Sequence, residues 1–553
     1  MKEWKCMATV ERYERESIKK TNPLLTKFRT TIETAFYGNN MVEVNDIAEA
    51  YRLASEAGST IITDLPVKHT EELGLPSDAK ILVENGGKTF GRTARARRTV
   101  GEDKEEDAKL EGIIRDVIYE NSDRKYYKTT GYVGLDPDFM IKAHIAFPEG
   151  QENNLYSWLL NFQASNEKYD EMYAESTEFS EGDIYIYGDP DWRHPDYPVG
   201  LAYFEPDSNV ACILGMQYFG EFKKGTLTLA WGTGHRNQFV ACHGGQKEFI
   251  TDDGSYIASF FGLSGSGKST LTHSKHDNKY NVKVLHDDAF LINLNDGSSI
   301  ALEPAYFDKT QDYPADHPEQ DYFVTVQNVG VTLDTDGKKV LVTEDIRNGN
   351  GRTVKSRYST PNRVDKFTEP INAVYWIMKD ESLPPLVKIT NPVLGSIFGL
   401  TLATKRTSAE NVKKGESTDK LVIEPYANPF RVYPLVEDFN DFKELLSREN
   451  MECYIINTGY FLDKKIPKEV TLGAIESVVE QTAEFKPFDN VENLSYLDVK
   501  GYEPDFDDSS YKKLIKERMQ MRLEYVEKFN EDHQDHPLPE EAIALLKDLV
   551  NYL

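Results

Sequence analysis

The chain has 553 residues, and a content of 39% hydrophobic and 11% aromatic residues is ample for large cores, which argues against extensive disorder. Its 92 acidic and 64 basic residues give a formal net charge of -28, which argues against nucleic acid or an anionic membrane as the main partner. Its 4 cysteines are widely spaced and form no CxxC pair, which argues against a disulfide framework or a zinc site and favours a reducing compartment.

The first residues, MKEWKCMATVERYERESIKK, are charged and predict no signal peptide, and we find no apolar run long enough for a membrane span. We therefore expect a cytoplasmic protein. We also expect it to act on small molecules, as a monomer or a small homo-oligomer. The length favours two lobes over a single domain.

Helices are predicted before about residue 60, as in VNDIAEAYRLASEAG, and at the C-terminus in two segments. Between about 78 and 260 the chain predicts short strands at AKILVE, FMIKAHIAF, DIYIYG, VACILG, TLTLAWG and QFVACHG. FITDDGSYIASFFG and VTLDTDGKKVLVTE predict hairpins at 249–262 and 331–344, and AVYWIM and YIINTG predict further strands. The polar stretch 404–420 is either a mobile loop or an ordinary surface connection.

A phosphate-binding loop is predicted at 262–269, which fits G-x-x-x-x-G-K-[ST] and follows the apolar run YIASFF. The glycines let backbone N–H groups converge on phosphate oxygens, Lys268 reaches the terminal phosphates, and Ser269 contacts the metal. A plain glycine-rich turn is the alternative. The predicted nucleotide contacts here are Gly262, Leu263, Ser264, Gly265, Ser266, Gly267, Lys268, Ser269 and Thr270.

A pair of aspartates, Asp287 and Asp288, comes about twenty residues later, at the end of the apolar run VKVL. A carboxylate in this position can hold the metal that bridges the phosphates. The alternative is an Asx-turn at the end of a strand.

The order of these features resembles ATP-dependent phosphoenolpyruvate carboxykinase. The family's phosphate loop, Phe-Phe-Gly-Leu-Ser-Gly-Thr-Gly-Lys-Thr-Thr, is matched from Phe260 to Thr270 with two Thr-to-Ser exchanges. The resemblance runs from about 85 to 480. Its other matches are Gly91-Arg92-Thr93, Tyr218, Glu221, Lys223-Lys224-Gly225, His243, Asp287-Asp288, Glu303, Tyr306, Lys309-Thr310, and Arg357 before Pro361.

The resemblance implies an enzyme of gluconeogenesis that converts oxaloacetate and ATP to phosphoenolpyruvate, ADP and carbon dioxide. An enolate is unstable in water, so it has to form beside a fixed cation in a closed site. The family's manganese ligands correspond to Lys224 (as a neutral amine), His243 and Asp288, and a nucleotide magnesium ion would contact Ser269. The other implied roles are acid binding by Arg92, Tyr218, Lys224 and Arg357, phosphoryl charge neutralisation by Lys223, Lys268 and Arg357, and nucleotide binding by Glu303 and Lys309.

Taken singly, several of these residues have simpler interpretations. Lys223-Lys224-Gly225 resembles a solvated turn before a strand, His243 a buried core histidine, and Arg92 part of a basic surface run. Their joint order around the phosphate loop is what favours the functional interpretation.

The chain also departs from the family beside its proposed ligands. Gly244-Gly245-Gln246 replaces Cys-Ser-Ala-Asn, Ala289-Phe290 follows the aspartates in place of Glu-His-Gly-Trp, and two further segments differ at 93–96 and 405–407. Two other functions therefore stay open. One is a kinase on the same core with a different small-molecule or protein-serine acceptor, and the other is a nucleotide-binding regulatory protein without turnover.

We expect an α/β fold with two lobes and the active site in the cleft between them. The expected lobes are 1–245, which binds the acid substrate, and 246–553, which binds the nucleotide. A segment near 345–362 is expected to return to the substrate site.

Overall fold

The computed structural model describes residues 13–85, 96–252, 254–263, 265–344, 351–405 and 421–553. Several predictions fall outside these ranges. They concern Arg92, Ser264, nearly all of the polar stretch at 404–420, and the first part of the segment near 345–362.

The chain separates into two compact units. The described residues of the first lie within 13–237 and 300–361, and those of the second lie within 238–299, 362–405 and 421–553. The expected boundary after residue 245 falls inside the strand Phe239–Thr251. The substrate-binding and nucleotide-binding roles expected for the two parts stay predictions.

Two sheets organise the first unit, and both mix parallel and antiparallel pairs. The larger has the spatial order Met41–Glu43, Tyr126–Asp136, Phe139–Pro148, Ile184–Asp189, Val210–Leu214, Leu201–Glu205, Arg97–Thr99, with Gln163–Ala164 beside the second strand. The smaller has the order Tyr306–Lys309, Arg352–Lys355, Phe323–Gln327, Lys80–Glu84, Thr60–Pro66. The hairpin predicted at 331–344 is confirmed, with strands Gly330–Leu333 and Lys339–Val342.

The helices of the first unit are Lys27–Ala35, Ile47–Glu56, Lys104–Glu120, Glu152–Asn161, Glu167–Ala174 and Phe219–Arg236. The first two confirm the helices predicted before residue 60. Ile47–Glu56 begins after Asp46, whose side chain accepts a hydrogen bond from the backbone N–H of Glu49, as an N-cap does.

One predicted strand is wrong: TLTLAWG lies inside the helix Phe219–Arg236. Alternating threonine and leucine mimic the two-residue period of a strand, and the glycines of the segment lower its intrinsic helix propensity. The helix is nevertheless buried along most of its length, so tertiary packing decides its structure. Gly225 permits a close approach, because a Cβ there would lie 2.8 Å from Ile213 Cδ1. Lys223 and Lys224 therefore lie in a helix, not in a turn before a strand.

A long mixed sheet organises the second unit. Its spatial order is Ala289–Asn293, Phe239–Thr251, Gly254–Phe261, Ala373–Met378, Glu452–Asn457, Leu386–Ile389, Leu494–Leu497, Phe485–Pro487. The third, fourth and fifth strands of this series are parallel, so their carboxyl ends meet at one edge of the sheet. The hairpin predicted at 249–262 is confirmed, since the second and third strands pair antiparallel. Beyond Ala289–Asn293 the same sheet continues with Ser299–Ala301, where the chain passes to the first unit, and then Lys366–Phe367, and Asn281–His286 also pairs with Phe239–Thr251. The other strands here are Ala403–Lys405, Leu421–Ile423, Tyr460–Phe461 and Lys464–Lys465.

The helices of the second unit are Lys268–His273, Pro392–Leu400, Leu435–Leu446, Lys468–Val479, Ser509–Asp532 and Glu540–Tyr552, and the last two confirm the predicted C-terminal helices. A buried cluster joins Phe249 and Phe260 of the sheet to Leu271 and Ile475. The helices Lys268–His273 and Lys468–Val479 thus pack against the same sheet core.

The structure has a mixed α/β fold. Among its described helices, none is both long enough and apolar enough to cross a lipid bilayer.

Candidate functional site

The predicted phosphate loop lies between the strand Gly254–Phe261 and the helix Lys268–His273, which we call the phosphate-loop helix. Gly265 and Gly267 have φ values of 77° and 101°, a left-handed conformation that side chains other than glycine rarely adopt. The local sequence therefore dictates the sharp turn from strand to helix.

Two neighbouring strand ends hold the loop in place. Lys379 Nζ donates a hydrogen bond to the carbonyl oxygen of Gly265 at 2.7 Å, and Thr458 Oγ1 donates to that of Ser266 at 2.6 Å. Both residues follow parallel strands, at the edge of the sheet where α/β proteins commonly bind ligands. Burial, and then the charge of Lys405, lowers the pKa of Lys379. The sequence analysis did not find Lys379; Thr458 lies in a segment predicted only as a strand.

The loop also holds a buried hydroxyl that fits a ligand. Within the described residues, Ser266 Oγ has no hydrogen-bond partner, and the residue is only 2% exposed. A buried, unpaired polar group costs about 1–3 kcal/mol. Gly262 provides the room, because a Cβ on it would lie 2.4 Å from this hydroxyl. An unpaired donor in a glycine cradle is suited to a phosphate oxygen.

The aspartate pair lies at a break in the strand ladder. Asn281–His286 pairs with one half of the strand Phe239–Thr251, and Ala289–Asn293 pairs with the other half. Asp287 and Asp288 lie between these two strands next to His243, and the backbone N–H of Gly244 donates to the carbonyl oxygen of Asp288 at 3.2 Å. The predicted position after an apolar strand is confirmed, and the break brings the pair to the histidine.

His243, Lys268 and Asp288 form a close group. Asp288 Oδ1 lies 3.0 Å from His243 Nε2 and 3.6 Å from Lys268 Nζ. His243 Nδ1 contacts the carbonyl oxygen of Ala427, which can only accept, so Nδ1 carries the proton. Ala427 has a φ of 52°, a strained value that is often found at functional sites.

This geometry fits a shared cation. With Nδ1 donating to Ala427, Nε2 is the ring nitrogen of His243 that faces the carboxylate of Asp288. Two acceptors at this distance need a proton or a cation between them. Imidazole nitrogen and carboxylate oxygen bind transition metals at about 2.1 Å, and two such ligands at a right angle are about 3.0 Å apart.

Asp287 has a different role from its neighbour. Its Oδ2 lies 3.3 Å from His273 Nε2. Burial alone would raise the pKa of Asp287, but the hydrogen bond and charge of His273, with His286 and Lys268, hold it below its usual range. Asp287 therefore stays a carboxylate that orients His273.

The first unit contains another group of predicted residues. Lys223 Nζ lies 2.9 Å from Glu303 Oε1, and both side chains are almost fully buried. The amide of Asn161 also donates to Glu303. This pairing gives Glu303 a direct structural partner in Lys223, and its predicted nucleotide role stays a prediction.

The other predicted residues of the first unit lie on or near the helix Phe219–Arg236, or in shorter strands and turns. Tyr218 precedes the helix Phe219–Arg236, and Lys224 Nζ lies 5.4 Å from the ring centre of Trp231. Arg357 Nη1 donates to the hydroxyl of Tyr169 at 3.4 Å, and Lys309 ends the strand Tyr306–Lys309. Their proposed ligand contacts stay predictions.

A family model described as phosphoenolpyruvate carboxykinase matches residues 66–498, which is well over half of the chain. The chain belongs to the phosphoenolpyruvate carboxykinase family. The match covers the phosphate loop, the aspartate pair, His243 and Lys223-Lys224, so the resemblance found from these motifs is confirmed at the level of the family.

Curated relatives carry the same family name. Phosphoenolpyruvate carboxykinase (ATP) of Aeropyrum pernix is 27% identical over 337 residues, which is 56% of this chain and 65% of that protein. Phosphoenolpyruvate carboxykinase (ATP) 2 of Salinibacter ruber is 23% identical over 383 residues, which is 65% of this chain and 67% of that protein. The match to phosphoenolpyruvate carboxykinase (ATP) of Dictyostelium discoideum spans only 36% of that protein.

Proposed function

We propose that this protein is an ATP-dependent phosphoenolpyruvate carboxykinase: oxaloacetate and ATP give phosphoenolpyruvate, ADP and carbon dioxide. The observation that carries the proposal is the group of His243, Lys268 and Asp288 beside a glycine loop, in a chain of this family. A protein that only stores or senses a nucleotide has no need of a histidine and an aspartate grouped with the lysine of the loop.

In this proposal, residues 262–269 form a nucleotide P-loop and the first unit binds the acid substrate. The unpaired hydroxyl of Ser266 and the exposed Ser269 support the nucleotide assignment. Lys268 neutralises charge on the transferred phosphoryl group, with Lys223 and Arg357. Glu303 and Lys309 complete the proposed nucleotide contacts.

Lys224, His243 and Asp288 are proposed to hold Mn²⁺, and Ser269 to contact Mg²⁺ on the nucleotide. When bound, a divalent cation at the first site would supply Lewis-acid stabilisation of the negative charge that decarboxylation leaves on oxygen. The tautomer that Ala427 imposes on His243 leaves Nε2 available as a ligand. Lys224 would serve as a neutral amine.

The acid substrate is proposed to bind to Arg92, Tyr218, Lys224 and Arg357. Guanidinium groups form paired hydrogen bonds with carboxylates, which suits the two carboxyl groups of oxaloacetate. Excluding water from the bound substrate protects the enolate from protonation until its oxygen takes the phosphoryl group of ATP.

Purified protein incubated with ATP, Mn²⁺ and oxaloacetate is expected to form phosphoenolpyruvate. ³¹P NMR measures the product directly and separates it from the pyruvate that oxaloacetate gives by spontaneous decarboxylation. Samples without ATP or with Lys268→Ala protein serve as controls. Phosphoenolpyruvate no higher than in these controls would reject the proposal.

The same experiment separates the two alternatives. ADP formed with another acceptor, and without carbon dioxide, would identify a kinase that uses the same core. ATP binding without ADP formation, under every acceptor tried, would identify a nucleotide-binding regulatory protein.

A further inference from the structure

A buried lysine lies behind the phosphate-loop helix. Lys247 is fully buried on the strand Phe239–Thr251. Its Nζ donates to the carbonyl oxygens of Leu271 at 2.6 Å and Ser274 at 3.0 Å, and it lies 2.9 Å from His276 Nε2. Two of its three partners are therefore backbone groups at the C-terminal end of that helix.

The strand supports the helix along its whole length. Alternate residues of a strand share a face, so His243, Gly245 and Lys247 point to the same side. Gly245 lies directly under the helix, because a Cβ there would be 2.0 Å from Thr272 Oγ1. His243 lies with Asp288 beside Lys268, the first helical residue, and Lys247 binds the last turn.

The phosphate-loop helix needs such support. It has only 6 residues, and helices this short are not stable by themselves in water. The carbonyl groups of its last turn lack partners within the helix, and a lysine near a helix C-terminus can donate hydrogen bonds to them. Lys247 supplies this contact from the sheet, which fixes the helix relative to His243.

His276 and its partner Glu476 hold Lys247 in place. His276 Nδ1 lies 2.8 Å from Glu476 Oε1, on the helix Lys468–Val479. Because Nδ1 donates to the carboxylate, Nε2 is an acceptor for the lysine. Burial, and then the charge of Lys247, lowers the pKa of His276, which favours the neutral ring that this arrangement requires.

The turn that carries His276 is strained. His276, Asp277 and Asn278 have φ values of 50°, 54° and 63°, and none of them is glycine. Left-handed backbone costs about 1–2 kcal/mol per such residue, and persists only where the surroundings determine it. The contacts of His276 with Lys247 and Glu476 hold the turn in this conformation.

We propose that Lys247, held by His276 and Glu476, is a positioning residue that fixes the C-terminal end of the phosphate-loop helix and thereby orients Lys268 and Ser269 toward the nucleotide phosphates. This inference rests on the proposed nucleotide role of the loop. Lys247 itself touches no reacting atom.

The test compares three variants of the full chain. Lys247→Met removes the polar contacts and keeps an unbranched apolar side chain. Glu476→Gln weakens the contact of His276 with Glu476, which is only partly exposed. The matched control is Lys279→Met, because the exposed Lys279 binds the same Glu476 from the solvent side at 3.2 Å. The dissociation constant of ATP is measured by displacement of a fluorescent ATP analogue, without oxaloacetate, and circular dichroism checks folding.

Lys247→Met is expected to weaken ATP binding at least about tenfold and Glu476→Gln about threefold, since small displacements of positioned groups are costly. Lys279→Met should stay within about twofold of the wild type, and the KM for oxaloacetate should change little in all three variants. A purely structural defect would lower the active fraction and leave the affinity of the folded molecules unchanged. If Lys247→Met does not fold, Glu476→Gln decides.

Wild-type ATP affinity in both folded variants would overturn the inference. Because the assay needs no turnover, weaker ATP binding in the variants would support it even if no phosphoenolpyruvate is formed. A wild-type protein that binds no ATP would overturn both proposals.

The pH dependence of stability gives an independent check. Burial lowers the pKa of Lys247 to about 7, whereas an unfolded lysine titrates near about 10.4. Between these values the unfolded chain binds one proton more, so the folding equilibrium constant should rise by up to about tenfold per pH unit. The groups around Lys247 are His276, Glu476 and Lys279, with Lys268 and His273 on the helix and the Glu248–Lys283 ion pair on the opposite strand face.

Urea titrations of the wild type and of Lys247→Met between pH 6.5 and pH 9.5 measure this contribution as a difference, so groups common to both proteins cancel. The wild type should gain stability over the variant as the pH rises. Parallel pH profiles would show that Lys247 is not a buried titrating group.

Discussion

Replacing Lys268 by alanine is expected to abolish phosphoryl transfer by this protein. Lys268 is the first residue of the phosphate-loop helix, and its Nζ lies 3.6 Å from Asp288 Oδ1 with the side chain about one-tenth exposed. A cation fixed in this place neutralises charge that spreads over the phosphoryl oxygens in the transition state. We expect the rate of phosphoenolpyruvate formation to fall at least about a thousandfold, which corresponds to about 4 kcal/mol in the barrier.

The control for this change is Lys275→Ala, which removes an exposed lysine two residues beyond the same helix. Both variants are assayed by ³¹P NMR under saturating ATP and oxaloacetate, and their folding is compared by circular dichroism. Lys275→Ala should keep the wild-type rate. Turnover within tenfold of the wild type in folded Lys268→Ala protein would contradict the assignment of the loop.

The parts of the site that the sequence predicts correctly are set by local rules. The loop at 262–269 follows a strand, as the apolar run YIASFF predicted, and its Gly265 and Gly267 adopt left-handed backbone that glycine tolerates. Asp287 and Asp288 follow an apolar strand, as predicted. In each case the determining interactions lie within a few residues of chain.

Features that depend on distant packing could not be predicted in the same way. The helix Phe219–Arg236 alternates threonine and leucine like a strand, and only its burial among other elements makes it helical. His243 lies near Asp288 because one edge of the strand Phe239–Thr251 exchanges its partner there, from Asn281–His286 to Ala289–Asn293. No local pattern encodes that exchange.

The contacts that Lys379 and Lys247 make with the phosphate loop and its helix could not be predicted from local sequence either. Lys379 reaches Gly265 because two parallel strands end side by side, although the two residues are far apart in sequence. Lys247 directly follows Gly244-Gly245-Gln246, where the chain departs from the family, and its sequence context resembles an ordinary strand. Their roles follow from the fold, and the sequence analysis named neither residue.

Replacing Asp288 by asparagine is expected to remove most of the affinity of the protein for Mn²⁺. Asparagine keeps the shape of the side chain but loses its charge, so the remaining ligands bind a divalent cation less well. The new amide can also donate a hydrogen bond to His243 Nε2, at the position where Asp288 Oδ1 lies 3.0 Å away. That bond would occupy the lone pair which the tautomer set by Ala427 leaves available.

We therefore expect the dissociation constant of Mn²⁺ to rise about a hundredfold or more, because one ligand is lost and a second is blocked. Electron paramagnetic resonance of free Mn²⁺, titrated with protein in the absence of nucleotide, measures it without any assay of turnover. Asp277→Asn is the matched control: it removes an exposed carboxylate of the same unit, at a left-handed position that asparagine tolerates. Asp277→Asn should bind Mn²⁺ like the wild type. An Asp288→Asn protein that does the same would show that His243 and Asp288 share a proton and not a metal ion, and the proposed carboxykinase chemistry would then lose the cation on which it depends.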